Sequence, residues 1–332
     1  MYKVKITASG QEKDMIRQIP KGGILGDYQF YVNEPVEEAD FWVVCYQKLN
    51  GEEETCKVAP ENTLFFTWEP DSTYHYSKKF LAQFGKVVSC LKKTNHRNVV
   101  MDQPGLAWYM GKIIRPDKSA YFTRHYEDIA EAIPEKTKLL SVICSNKCYT
   151  KGHRERIDFV MKLKEHYGDQ LDIFGFGFNG FDDKWDTIAP YKYHICIENC
   201  SQPYYWSEKL ADTFLGSAFP FYYGCTNVDK FFSQDAYRTI DVHDAEGAIK
   251  IIDAAIAEDL ATKNADAIQK AKELVMTDEN FFGLIVKHIQ DMNPNAEKKN
   301  VTLVGDLKFF DLQKFVIIAK RYVNKFMFKF SK

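Results

Sequence analysis

The sequence predicts an α/β protein of two domains, each built on a mostly parallel sheet, facing a central cleft. Its 332 residues exceed what one hydrophobic core usually organises. Short strand-like runs alternate with helical patterns in both halves, the order that parallel sheets covered by helices require. Runs such as FWVVCY and TLFFTW are apolar almost throughout, as strands buried on both faces are.

In chain order, YKVKITA, YQFYV, DFWVVCY, TLFFTW and KVVSC read as strands, with a helical pattern from Tyr74 to Phe84 between the last two. Beyond Trp108 the pattern loosens. Pro116, Pro134 and charges of both signs mark a connection between domains. A second set begins with KLLSVIC. An amphipathic helix from Arg154 to Tyr167 follows, with Ile157, Val160 and Leu163 on one face, and then the strands LDIFGFG and YHICIEN. A helix from about Trp206 and the strand FPFYY come next, then helices over Ala245–Ala261 and Asn264–Val275. The expected division is an amino-terminal domain over 1–130, a second over 131–300, and a basic amphipathic helix over 301–332.

Composition narrows the classes of function. Net charge is −2, which supplies no global field for nucleic acid. No apolar run is long enough to span a bilayer, and MYKVKITASGQEKD lacks the apolar stretch of a signal peptide, so the expected location is the cytoplasm. Aromatic residues make up 15% of the chain, which suits a stacking cleft or a large core equally. The eight cysteines do not fall into close-paired zinc spacing and read as reduced, partly buried thiols.

The tail is different. From Leu312 to Lys332 it carries Lys314, Lys320, Arg321, Lys325, Lys329 and Lys332 with no acidic residue, and Leu312, Phe315, Val316, Ala319, Val323, Phe326 and Phe330 recur at helical spacing. A basic amphipathic helix of this kind binds an anionic bilayer surface, or docks on its own protein with the lysines solvated.

The chemistry concentrates in YKYHICIENCSQPYYWSEKLADTFLGSAFPFYYG. A buried-type strand ends in Glu198-Asn199, and Ser207-Glu208-Lys209 opens a helix after a polar loop. A lysine beside free backbone N–H groups makes a phosphate site, and a carboxylate there can accept from a ribose diol. An ordinary helix start capped by Ser207, with a solvated Glu–Lys pair, explains the same spacing. FGFGFNG has neither the Walker spacing nor the dinucleotide fingerprint. His96 and His153 lie near basic clusters, and His194 lies within a strand, where a core histidine is commoner than a catalyst.

The segment resembles the donor-binding motif of the α-1,3-fucosyltransferases, glycosyltransferase family 10. The matching elements are Tyr191-Lys192-Tyr193, Glu198-Asn199-Cys200, Tyr205-Trp206-Ser207-Glu208-Lys209, and Pro220 to Gly224, in order and at compatible spacing. SNKC, Arg156-Ile157-Asp158-Phe159-Val160 and Asp172-Ile173-Phe174-Gly175 extend it more weakly upstream. The resemblance implies a GT-B-like architecture of two Rossmann-like α/β domains. It implies that Arg156 and Lys209 neutralise the diphosphate of a GDP-sugar and act catalytically, that Glu208 holds the ribose, that Tyr205 packs near base or sugar, and that Asn199 orients the loop. It also implies a base from the amino-terminal domain, and Glu69 in TLFFTWEPDS stands in that place. Trp68 replaces a small residue of the family pattern; Trp68 and Trp108 are candidates for the acceptor side, with packing an equal account of Trp108.

The activity so implied is inverting transfer of L-fucose from GDP-fucose to a hydroxyl of a GlcNAc- or Glc-containing glycan, a surface polysaccharide or lipopolysaccharide of a bacterium. No cofactor or metal is expected. The partners are the nucleotide sugar, an oligosaccharide acceptor and, through 312–332, the inner face of the membrane. A different nucleotide sugar, or a non-catalytic glycan- or nucleotide-binding relative, remains open on the same residues.

Overall fold

The structure is a computed structural model that describes residues 1–8, 12–45, 53–70, 73–117, 119–145, 151–309, 311, 312, 316, 317 and 319. Chain contacts divide it into two compact units. The first comprises the described residues of 1–107, 203–205 and 277–319; the second comprises those of 108–202 and 206–276.

The first unit holds a seven-stranded sheet. Its strands run, across the sheet, Ile24–Leu25, Tyr28–Val32, Tyr2–Ala8, Phe41–Cys45, Thr63–Phe66, Lys86–Ser89 and Val99–Met101. Every pairing is parallel except that of Ile24–Leu25 with Tyr28–Val32. Phe41–Cys45 and Thr63–Phe66 are buried at every position, as their unbroken apolar character requires. One face is covered by the helix Phe281–Ile289, whose Phe282 and Phe281 stand 5.0 and 5.6 Å from Phe30 and Phe66. On the other face Phe65 meets Tyr76 and Phe80 at 4.9 Å each.

The second unit holds five parallel strands in the order Leu171–Phe174, Lys138–Ile143, Tyr191–Ile197, Phe219–Tyr223, Arg238–Thr239. In chain order that is 2-1-3-4-5, a doubly wound sheet whose direction of winding reverses between its first and third strands. A ligand crevice opens at such a point, beyond the carboxyl ends of the strands. Here those ends are Ile143 and Ile197. The helix Lys151–Tyr167 follows the first strand and buries Phe159, Val160 and Leu163 in the core of this unit.

Several boundaries differ from the sequence expectation. Residues 109–137 are not a loose connection: Lys112–Ile114 pairs antiparallel with Ala120–Phe122, a helix spans Tyr126–Glu131, and all belong to the second unit. The first unit therefore ends at Ala107 rather than near 130, and it is completed by chain from beyond Met276. The tail does not begin as a helix at 301. Lys299–Val304 is a strand paired antiparallel with Glu53–Val58, and its alternating polar residues hid it from an apolar search. The helix expected over 312–332 lies outside the described residues save for isolated positions. Helix over Tyr74–Phe84 contracts to Lys78–Leu81 behind a Ser77 cap.

Candidate functional site

The strand Tyr191–Ile197 delivers two polar residues to the reversal point of the second unit. Glu198 is 1% exposed and its N–H donates to the Tyr223 carbonyl at 2.8 Å. Its carboxylate accepts from the Ser207 N–H at 2.8 Å and from the Ser207 hydroxyl, and receives the Lys209 ammonium at 3.3 Å. Burying a carboxylate is tolerable only with such partners. Gly224 makes room for it: a Cβ there would collide with Glu198 Cγ, and with Glu198 Cβ at 2.8 Å.

Ser207 caps the helix Glu208–Leu215, its extended backbone turning the chain while its Oγ accepts from the Lys209 N–H at 3.3 Å. Lys209 also lies 3.1 Å from the Glu208 carboxylate. Burial pushes the Glu208 pKa up, but Lys209 and Lys184 outweigh it and hold that carboxyl below its ordinary value. Next to Glu198, the Asn199 side-chain oxygen accepts from the Arg156 guanidinium at 2.9 Å. Burial lowers the Arg156 pKa, opposed by the nearby Cys144 and Glu198. The end of one strand thus anchors two cations from two different helices.

A cavity of about 350 Å³ opens beside Lys209, lined among others by Glu208, Lys209, Lys184, Tyr109 and Phe181. Lys184 is fixed by Asp212 at 2.7 Å, and Asp212 also accepts from the N–H groups of Tyr109 and Met110 at 3.0 and 3.1 Å. Burial raises the Asp212 pKa despite Lys184. His194 lines the same cavity, bonded to Ser141 at 2.8 Å; burial and then Lys184 lower its pKa to about 3, so it is neutral.

The other candidates fall elsewhere. Tyr205 is 5% exposed and groups with the first unit. Glu69 is half-buried in the first unit, just beyond the strand Thr63–Phe66. Trp68 and Trp108, the acceptor-side candidates, are 4% and 2% exposed, so both rings are packed within the fold. Trp68 stands edge-on to Phe281 at 5.9 Å. The side chain of His153 lies outside the described residues. Among the described residues no group of three or more His, Cys, Asp or Glu side chains is placed to hold a metal ion, and the described cysteines are free thiols. No helix of the described residues is long and apolar enough to cross a membrane.

Glu198, Lys184 and Asp212 were not singled out as site residues from sequence. A carboxylate directly after an apolar strand was the available signal, since a buried charge demands a partner.

These features define a doubly wound α/β unit with paired cations and a carboxylate-lined cavity at its reversal point. Residues 133–255 match the model of the carboxyl-terminal domain of glycosyltransferase family 10 (fucosyltransferase). Solved structures give more distant likenesses. One, an α1,3-fucosyltransferase with GDP, is 16% identical, with 86% of this chain and 90% of that one covered and a TM-score of 0.47. A second, described as an α1,3-fucosyltransferase with GDP-fucose, is 15% identical over 96% and 90%, with a TM-score of 0.43. A glycosyltransferase from Rickettsia africae ESF-5 is 11% identical over 87% and 97%, with a TM-score of 0.44. Comparison with curated proteins finds no match.

Proposed function

We propose that this glycosyltransferase moves L-fucose from GDP-fucose to a hydroxyl of a GlcNAc- or Glc-containing glycan, with inversion at the anomeric carbon. The observation that carries the proposal is the anchoring of Lys209 by Glu198 and of Arg156 by Asn199, at the reversal point of a family 10 domain. The family motif implies that Arg156, Asn199 and Lys209 serve the donor, and Glu198 is the buried carboxylate that anchors Lys209.

The chemistry follows from the charges. The acceptor oxygen attacks the anomeric carbon as the bond from that carbon to the diphosphate breaks, and GDP leaves with the bonding electron pair. Arg156 and Lys209 neutralise the charge that grows on the leaving diphosphate, from positions set before the reaction begins. A diphosphate competes with Glu198 and Glu208 for the Lys209 ammonium, and Glu208, already ionised, turns to the ribose diol. Asn199 orients its loop, and Tyr205 packs near base or sugar. Glu69 takes the proton of the acceptor hydroxyl. The basic segment 312–332 holds the enzyme at an anionic membrane surface, close to a lipid-linked surface glycan.

Product analysis tests this reading. With GDP-fucose and N-acetyllactosamine-type acceptors, the wild type should release GDP and form a fucosylated product of inverted configuration, and Glu69→Ala should bind GDP normally yet turn over at least about a hundredfold more slowly. No product with any GDP-, UDP- or CMP-sugar would refute it in favour of a binding protein. Unchanged turnover by Glu69→Ala would reject Glu69 as the base.

A further inference from the structure

Glu208 and Asp212 lie four positions apart on the helix Glu208–Leu215, so their carboxylates share one face, a single turn from each other. Glu208 lines the cavity beside Lys209, and the Asp212 side chain has no exposure to solvent. Like charges at that spacing repel, and burial strengthens the repulsion.

Two lysines offset it. Lys209 is 3.1 Å from Glu208, and Lys184, which lines the same cavity, is 2.7 Å from Asp212. Asp212 also accepts from the N–H groups of Tyr109 and Met110, bonds that favour its charged form with or without Lys184. Glu208 leans more on the cations. Burial raises its pKa, and Lys209 together with Lys184 brings it below the ordinary value.

Lys209 is the lysine that a diphosphate draws away, and it serves Glu198 as well, at 3.3 Å. With a donor bound, the new negative charge opposes Glu208 just as its share of Lys209 falls. Lys184 is not released in the same way, because a buried carboxylate fixes it. The remaining charged or titratable side chains on the cavity wall are Lys112, which lies over the Tyr109 ring at 4.9 Å, Asp182, Cys196 and the neutral His194.

We propose that Lys184 is a positioning residue of the donor site: it keeps Glu208 charged while a diphosphate occupies Lys209. It thereby sets the preference of the site for a ribonucleotide over one that lacks the ribose diol. This rests on the reading of Glu208 as the group that holds that diol. A carboxylate accepts from hydroxyls more strongly than a protonated carboxyl does. Lys184 acts through Glu208 and not on the leaving group.

The test is calorimetric titration of the full chain with GDP and with 2′,3′-dideoxy-GDP. The two ligands share base and diphosphate, so their own titration cancels in the ratio of affinities. The wild type should prefer GDP about tenfold at both about pH 6 and about pH 8.5. Lys184→Gln should prefer it less than about threefold at the lower pH and recover at the higher, where Glu208 ionises without the lysine. The double variant Lys184→Gln/Asp212→Asn restores the net charge of the helix face, and its amide oxygen still accepts from Tyr109 and Met110. It should regain the preference at about pH 6. Asp212→Asn alone leaves Lys184 to Glu208, so the pH at which the preference fades should lie below that of the wild type. Absence of that drop would overturn the proposal even where Lys184→Gln does not fold. So would a preference that survives Lys184→Gln, or one that the double variant fails to restore. Equal weakening of both ligands by Lys184→Gln would make Lys184 a direct diphosphate contact, which also overturns it. A wild type that fails to bind GDP, or binds both ligands equally, would overturn the donor reading itself.

Discussion

The Lys209 ammonium lies 3.3 Å from the carboxylate of Glu198, a side chain with no exposure to solvent. That carboxylate also holds both the N–H and the hydroxyl of Ser207, so one buried charge fixes a helix cap and a cation together. Replacing it with alanine strands all of those donors, whereas glutamine keeps an acceptor for Ser207. Glu198→Ala should therefore cost about 3 kcal/mol or more of folding stability and Glu198→Gln about half as much. Urea unfolding of the two variants checks the ranking. Equal stability of both with the wild type would show that Glu198 does not organise the site.

Gly224 makes a separate prediction. Its Cβ position is occupied by Glu198 and by the Tyr222 hydroxyl, which donates no slack because it accepts from the Cys225 N–H at 2.8 Å. Gly224→Ala should cost about 1–3 kcal/mol and weaken GDP binding, since Glu198 must move and Lys209 with it. Unfolding and GDP titration of the same variant should show both losses. Lost stability with unchanged GDP affinity would uncouple Gly224 from the donor site.

His194 predicts how the fold responds to acid. Its folded pKa is lowered to about 3, against an ordinary value near 6.5. The unfolded chain therefore binds a proton that the native protein refuses. Stability from this residue is complete above about pH 6.5 and falls as pH drops toward 3, by up to about 1.4 kcal/mol per pH unit. Urea midpoints at pH 7.5 and pH 5 should differ less in His194→Gln than in the wild type. The same dependence in both would place the acid sensitivity elsewhere.

Much of the fold was legible because buried parallel strands announce themselves. YKVKITA, YQFYV and FPFYY coincide with the strands Tyr2–Ala8, Tyr28–Val32 and Phe219–Tyr223. The pairing of Glu53–Val58 with Lys299–Val304 was not legible. Both strands carry charged residues, and their partnership joins residues more than two hundred positions apart. The helix Phe281–Ile289 lay beyond the periodic segments that were read, yet it covers a face of the first sheet.

At the site, residue types were legible and their partnerships were not. Arg156 and Asn199 were both named for the donor, but only the fold reveals that one bonds the other at 2.9 Å. Glu198 read as the end of a strand, since nothing in IEN shows that the helix start nine residues later returns to it. Lys184 and Asp212 are separated by 28 residues and become a buried pair only when the 2-1-3-4-5 sheet forms. For Trp68 and Trp108 the aromatic type alone did not separate a sugar platform from a packed core, and only the fold shows both rings buried.

The proposed donor site depends on Lys209 and Arg156 holding a guanosine diphosphate. Isothermal titration of GDP into the wild type and into Lys209→Gln tests it most directly. The wild type should bind GDP saturably, with UDP and CMP weaker, and the variant should lose about tenfold or more in affinity. GDP binding of equal strength to both proteins would contradict it.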